Sequence, residues 1–311
     1  MLDGRQKNYK SGLWLFVALF AMYLAGNFAI GLFFFEGFAL YHQLVDVLIP
    51  VLLYLLITRQ PIFSTLKLNR LPKKKDVVRI FQLFLVSFLL KYGINFMVDT
   101  FSNVNSGEVT MQIFNMVPNT WIFFVTVAVI PVVLEEVMMR GAVLDHFRDT
   151  TLWQGSVMTG VLFAVLHMDF GQFGYTLALG VVMAAVVLIT GSLWSAILFH
   201  FLNNFTSFAI LSAIRFAMDR LPESFEQELE SAMGLAQDSI PFWDLALMVF
   251  VAVAVFVVGV YLTIHYIKKM ARENDYKDPV NPPSWKAVFL NLPMGIITVL
   301  YIGTNIVLSQ L

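Results

Sequence analysis

The chain contains no cysteine, which removes disulfides, thiolate metal sites and a cysteine nucleophile together. Charge is scarce as well: Asp, Glu, Lys and Arg make up 13% of 311 residues, against about a quarter in soluble domains. With a net charge of −1 there is no basic domain to hold phosphates, so no nucleic-acid partner is expected. No Ala-x-Ala-like site follows the first apolar stretch, which is therefore read as retained and not as a cleaved signal. What the chain does have is apolar surface, with 59% hydrophobic residues and a mean hydropathy of +0.75. A soluble core cannot absorb that much, so the solvent for most of the chain is lipid. The predicted class is an all-α polytopic transmembrane helix bundle forming one membrane domain over residues 1–311.

A span needs about 20 apolar residues at 1.5 Å each. Runs of that kind fall at 12–35, 39–58, 77–98, 121–147, 152–168, 172–189, 192–214, 243–267 and 287–311, giving about eight or nine spans. The fourth contains Pro131 and the ninth Pro293. Lys and Arg then set the orientation. With the N-terminus inside, the basic residues gather in the tail (Arg5, Lys7, Lys10), in 59–79, at Arg140 and Arg148, and in 268–286; the outer segments hold only Arg215 and Arg220. A cytoplasmic N-terminus follows, and the bias and unsplit chain fit a bacterial cytoplasmic membrane. The segment 59–76 mixes Ile62, Phe63, Leu66, Leu68 and Leu71 with basic residues and reads as an interfacial amphipathic stretch. The outer segment 215–241, acidic at Glu223, Glu226, Glu228 and Glu230, reads as a short surface helix.

Charged and imidazole side chains at membrane depth cost a few kcal/mol each, so they need a reason to be there. Three clusters stand out: Glu135-Glu136-x-x-x-Arg140, Phe163-x-x-x-His167 and His200-x-x-Asn203-Asn204. Glu136 and Arg140 are i,i+4 and can pair along a helix. Glu135 is turned by about 100° from Glu136 and lacks that local partner. A carboxylate kept free in apolar surroundings suits a general base. Phe163, one turn before His167, packs against its ring. His200 and Asn204 share a face and suit an oxyanion hole, with Asn203 as the competitor for Asn204. Spans four and five turn near residues 149–151, putting Glu135 and His167 roughly 22–26 Å along their helices, in a layer that His200 and Asn204 also reach.

The ordered motifs and the flanks Phe163–Gln172 (FAVLHMDFGQ) and Thr190–Asn204 (TGSLWSAILFHFLNN) resemble the CAAX protease and bacteriocin-processing family, also called the ABI or type II CAAX-prenyl endopeptidase family. The resemblance covers about residues 120–210. It implies a glutamate intramembrane peptidase in which Glu135 and His167 activate water and His200 and Asn204 stabilise the oxyanion, with Glu136, Arg140 and Phe163 in support. The catalytic core is then 120–214, flanked by spans in 12–98 and 243–311. It implies no cofactor and a peptide or membrane-protein substrate. Rival readings are a zinc peptidase built on Glu135, His167 and His200, a non-catalytic regulator, and a proton-coupled transporter. No His-Glu-x-x-His helix supports the first, and no repeated halves support the last. His42, His146, His265 and Lys91 lack partners at fixed spacing and are expected to snorkel or bond locally.

Overall fold

The computed structural model describes residues 7–33, 44–102, 104, 106–220 and 241–308. The helices of five or more residues are α1 (Tyr9–Phe33), α2 (Leu44–Thr58), α3 (Lys74–Phe101), α4 (Glu108–Met116), α5 (Thr120–His146), α6 (Leu152–Leu166), α7 (Phe170–Thr190), α8 (Leu193–Met218), α9 (Phe242–Glu273), α10 (Trp285–Phe289) and α11 (Leu292–Leu308). There is no strand among the described residues. By length and composition α1, α3, α5, α7, α8 and α9 can each cross a membrane, while α2, α6 and α11 are apolar but shorter. The chain is an integral membrane protein with a polytopic helical fold. His42 and most of the acidic outer segment, residues 221–240, lie outside the described residues.

Two elements depart from the expected pattern. The stretch 287–311 is divided: α10 ends at Phe289, and α11 begins at Leu292. Asn291 makes the break, donating to the Ala287 and Val288 carbonyls and accepting from Met294 N–H at 3.1 Å. Pro293 therefore sits in a first turn, where its missing N–H costs nothing, and does not interrupt a span. Helix α4 was not expected, because a reading by span length passes over nine residues.

The bundle is built around α7. Of its apolar window 61% is buried, against 11% for α9, which lies at the periphery. Helix α7 packs on α6, α3, α8 and α9. Its approach to α6 needs glycine on both sides: a Cβ on Gly180 would lie 2.9 Å from the Gly160 Cα.

One end of the bundle collects the basic segments around Asp145. Its side chain is fully buried and receives Lys7 at 2.6 Å, Lys67 at 2.9 Å and Arg148 at 2.5 Å. Next to it His146 bonds Ser11 Oγ at 2.7 Å and Tyr54 OH at 3.0 Å. His146 thus ties α1 and α2 to α5 and neither snorkels nor bonds locally. The α9–α10 connection joins the same end, where Asp278 accepts from Leu152 N–H and Gln154 donates to the Pro283 carbonyl. In the segment 59–76, Ile62, Phe63 and Leu71 are exposed, but Leu66 enters the core beside the Lys67–Asp145 pair. That stretch is anchored to protein as well as presented outward.

Candidate active site

The first motif lies on a helix that proline has reshaped. π-helical turns at Val125–Val129 and Val137–Val143 flank the α-helical Ile130–Glu136. Pro131 has no N–H to give the Val127 carbonyl four residues earlier. Ile130 N–H bonds back to Val125 across the wider turn instead, and Asn204 Nδ2 donates to the stranded Val127 oxygen at 3.0 Å. A proline on α5 thereby fixes an amide on α8.

Glu136 and Arg140 are both fully buried. Oε1 of Glu136 accepts from Arg140 Nη1 at 3.1 Å and from His200 Nδ1 at 2.9 Å. The expected along-helix pair is therefore also a bridge to α8. Arg140 Nη2 donates to the Gly180 carbonyl on α7 at 3.2 Å, and its guanidinium lies 4.2 Å over the Phe163 ring. Phe163 meets the His167 ring edge-on at 4.6 Å and the His200 ring at 5.8 Å. One phenyl ring holds the arginine and both imidazoles in register.

His167 stands at the C-terminal end of α6. Its Nδ1 lies 2.9 Å from the Phe163 carbonyl, which can only accept, so Nδ1 carries the proton and a neutral His167 presents a lone pair on Nε2. The chain then reverses sharply: Met168 takes φ +52, a left-handed conformation uncommon for any residue but glycine. Asp169 caps α7, accepting from Gly171 N–H at 2.7 Å and Gln172 Nε2 at 2.8 Å, and Tyr175 OH donates to Gln172 at 2.6 Å. By the same reasoning His200, facing a carboxylate through Nδ1, has its Nε2 directed elsewhere.

Glu135, Phe163, His167, His200 and Asn204 line one cavity of about 370 Å³. Glu135 Oε2 is buried there without a hydrogen-bond partner among the described residues. Glu136 and Arg140 stand behind the wall and are not part of the lining. Asn203 faces α3, donating to the Phe199 carbonyl and accepting from Ser87 Oγ at 3.0 Å, so only Asn204 of the two borders the cavity. Sequence spacing did not reveal the rest of the wall: Lys91 and Asn95 on α3, Gln172 and Tyr175 on α7, and Thr110 on α4. Lys91 does not snorkel or bond locally as expected; it lines the cavity. His265 is exposed, with ring contacts to Tyr261 and Tyr266 of its own helix. From Met183 and His200 the lining runs to Ser106, Thr110 and Met111, away from the basic end of the bundle. Among the described residues no group of three or more His, Asp or Glu side chains is disposed to hold a metal ion.

Fold and site together define a class: a polytopic helical membrane protein with a carboxylate, two imidazoles and an amide around an internal cavity. Residues 117–206, which hold all three motifs, match the family described as Rce1-like, type II CAAX prenyl endopeptidase Rce1-like. That match supports a CAAX-type intramembrane protease, a hydrolase, in general terms. Neither a curated protein nor a solved structure matches the chain.

Proposed function

We propose that the chain is an intramembrane endopeptidase that hydrolyses a peptide or membrane-anchored protein with water activated between Glu135 and His167. The observation that carries this is the shared cavity, with an unpartnered Glu135 oxygen and a His167 whose Nε2 lone pair is fixed by its bond to Phe163. Water bound between them loses a proton to Glu135 as its oxygen attacks the peptide carbonyl. The proton then passes to the leaving amine as the C–N bond breaks. Asn204 keeps a second amide hydrogen beyond the one given to Val127, and turns it to the oxyanion. His200 serves there as a donor from Nε2 only while it carries both protons, because Nδ1–H is committed to Glu136. The family's name puts prenylated peptides among the candidate substrates. The basic end faces the cytoplasm, on the positive-inside argument, and the strong bias fits a bacterial cytoplasmic membrane.

The mechanism needs no metal, since the donors present serve proton transfer and oxyanion binding. Turnover by purified protein is expected to survive exhaustive chelation. His200→Ala and Asn204→Ala are each expected to lower kcat about 10²–10³-fold with little change in KM. One zinc per chain by elemental analysis, lost together with activity in His200→Ala, would replace this mechanism with a metallopeptidase.

A further inference from the structure

Lys91 has no role in that chemistry, yet it lines the same cavity from within an apolar span. It has no hydrogen bond or ion pair to any described residue; its ammonium stands over the face of Tyr175, 5.7 Å from amino nitrogen to ring centre. Such a contact is worth about 0.5–2 kcal/mol, little against the cost of holding an ammonium at membrane depth. An intramembrane cation without a counter-ion among the described residues can take one from a ligand. Its surroundings agree: Asn95, one turn on, also lines the cavity with a buried and unpartnered Oδ1, and the Thr110 hydroxyl lies on the same lining.

The contacts also set how far Lys91 stands from the reacting centre. Glu136 is level with His200 through their 2.9 Å bond, and Ser87 is level with Asn203 through theirs at 3.0 Å. Asn203 is three residues beyond His200 and Lys91 four beyond Ser87, on helices running the same way. The axial offset between Glu135 and Lys91 is therefore about 10 Å, or about three residues of extended peptide. Negative charge on a bound peptide is repelled by Glu135 and drawn to the opposite half of the cavity.

We propose that Lys91 is an anion anchor, holding a carboxylate of the bound peptide at the half of the cavity remote from Glu135 and so setting which bond reaches the catalytic groups. This rests on the peptidase reading for its substrate class, but its test does not require turnover. The carboxylate is either the peptide's C-terminus or an Asp or Glu side chain.

Binding is measured in a Glu135→Gln background with a dansylated apolar hexapeptide in three forms: free C-terminal acid, C-terminal amide, and amide with one internal Glu. The free acid, or the Glu peptide if the side chain is the recognised source, is expected to bind at least about tenfold tighter than the neutral amide. The preference is expected to vanish in Lys91→Met and to persist in Lys91→Arg. Equal affinity for the charged and neutral peptides overturns the anchor and requires no Lys91 variant to fold; so does a preference that survives Lys91→Met. Should wild-type protein cleave nothing, the peptidase reading falls while this comparison still decides the role of Lys91.

Discussion

Glu136 carries two partners on a single oxygen, and the consequences fall on Arg140. The guanidinium bonds Glu136 and the Gly180 carbonyl and covers Phe163, all out of contact with solvent. Arg140→Ala leaves a buried carboxylate facing His200 alone and is expected to cost about 3 kcal/mol or more. The loss should appear as a lowered Tm in detergent together with lost activity. Unchanged melting with lost activity would instead put Arg140 in contact with substrate. The helical period separated Glu135 from Glu136 in the sequence, because i,i+4 pairing is a local rule. It could not reveal the His200–Glu136 bond, which joins residues 64 apart in the chain. Nor could it decide between Asn203 and Asn204, since both lie near one turn from His200 and the choice depends on where α3 and α5 pack.

Helix α5 shows how an element's irregularity becomes a property of the site. Its length and hydropathy were plain from the sequence, and Pro131 marked it as interrupted. The form of the interruption was not legible, because proline only removes a donor and the neighbouring helices decide what replaces it. Here a π-helical turn and Asn204 do so. Pro131→Ala returns an N–H to the Val127 carbonyl and takes away the acceptor that holds Asn204. Turnover is expected to fall, by up to about 10²-fold for a displacement near 1 Å, while Tm holds or rises. Unaltered kcat in a folded Pro131→Ala protein would show that the Val127 contact does not position Asn204. The short helices were the harder part to read. Helix α4 and the α10–α11 break are set by capping and local hydrogen bonds, which leave little trace in a hydropathy pattern.

The distribution of charge over the chain predicts one basic end, and the structure gathers Lys7, Lys67 and Arg148 from three of those segments around Asp145. Orientation in the membrane is testable because the chain is free of cysteine. Single cysteines at Ser64, beside the basic end, and at Ser102, after α3, both occupy exposed positions. A membrane-impermeant maleimide is expected to label Ser102→Cys in intact cells and Ser64→Cys only after permeabilisation. The reverse pattern would invert the protein and direct its cavity toward the cytoplasm.

The hydrolytic role proposed for the cavity depends on Glu135 acting on water. The decisive measurement is cleavage of apolar peptides by purified protein, wild type beside Glu135→Gln, with products identified by mass spectrometry and Tm recorded for both. Wild-type protein is expected to yield hydrolysis products at a defined bond, and Glu135→Gln to yield none while melting near the wild-type temperature. Undiminished cleavage by a folded Glu135→Gln protein would contradict the account.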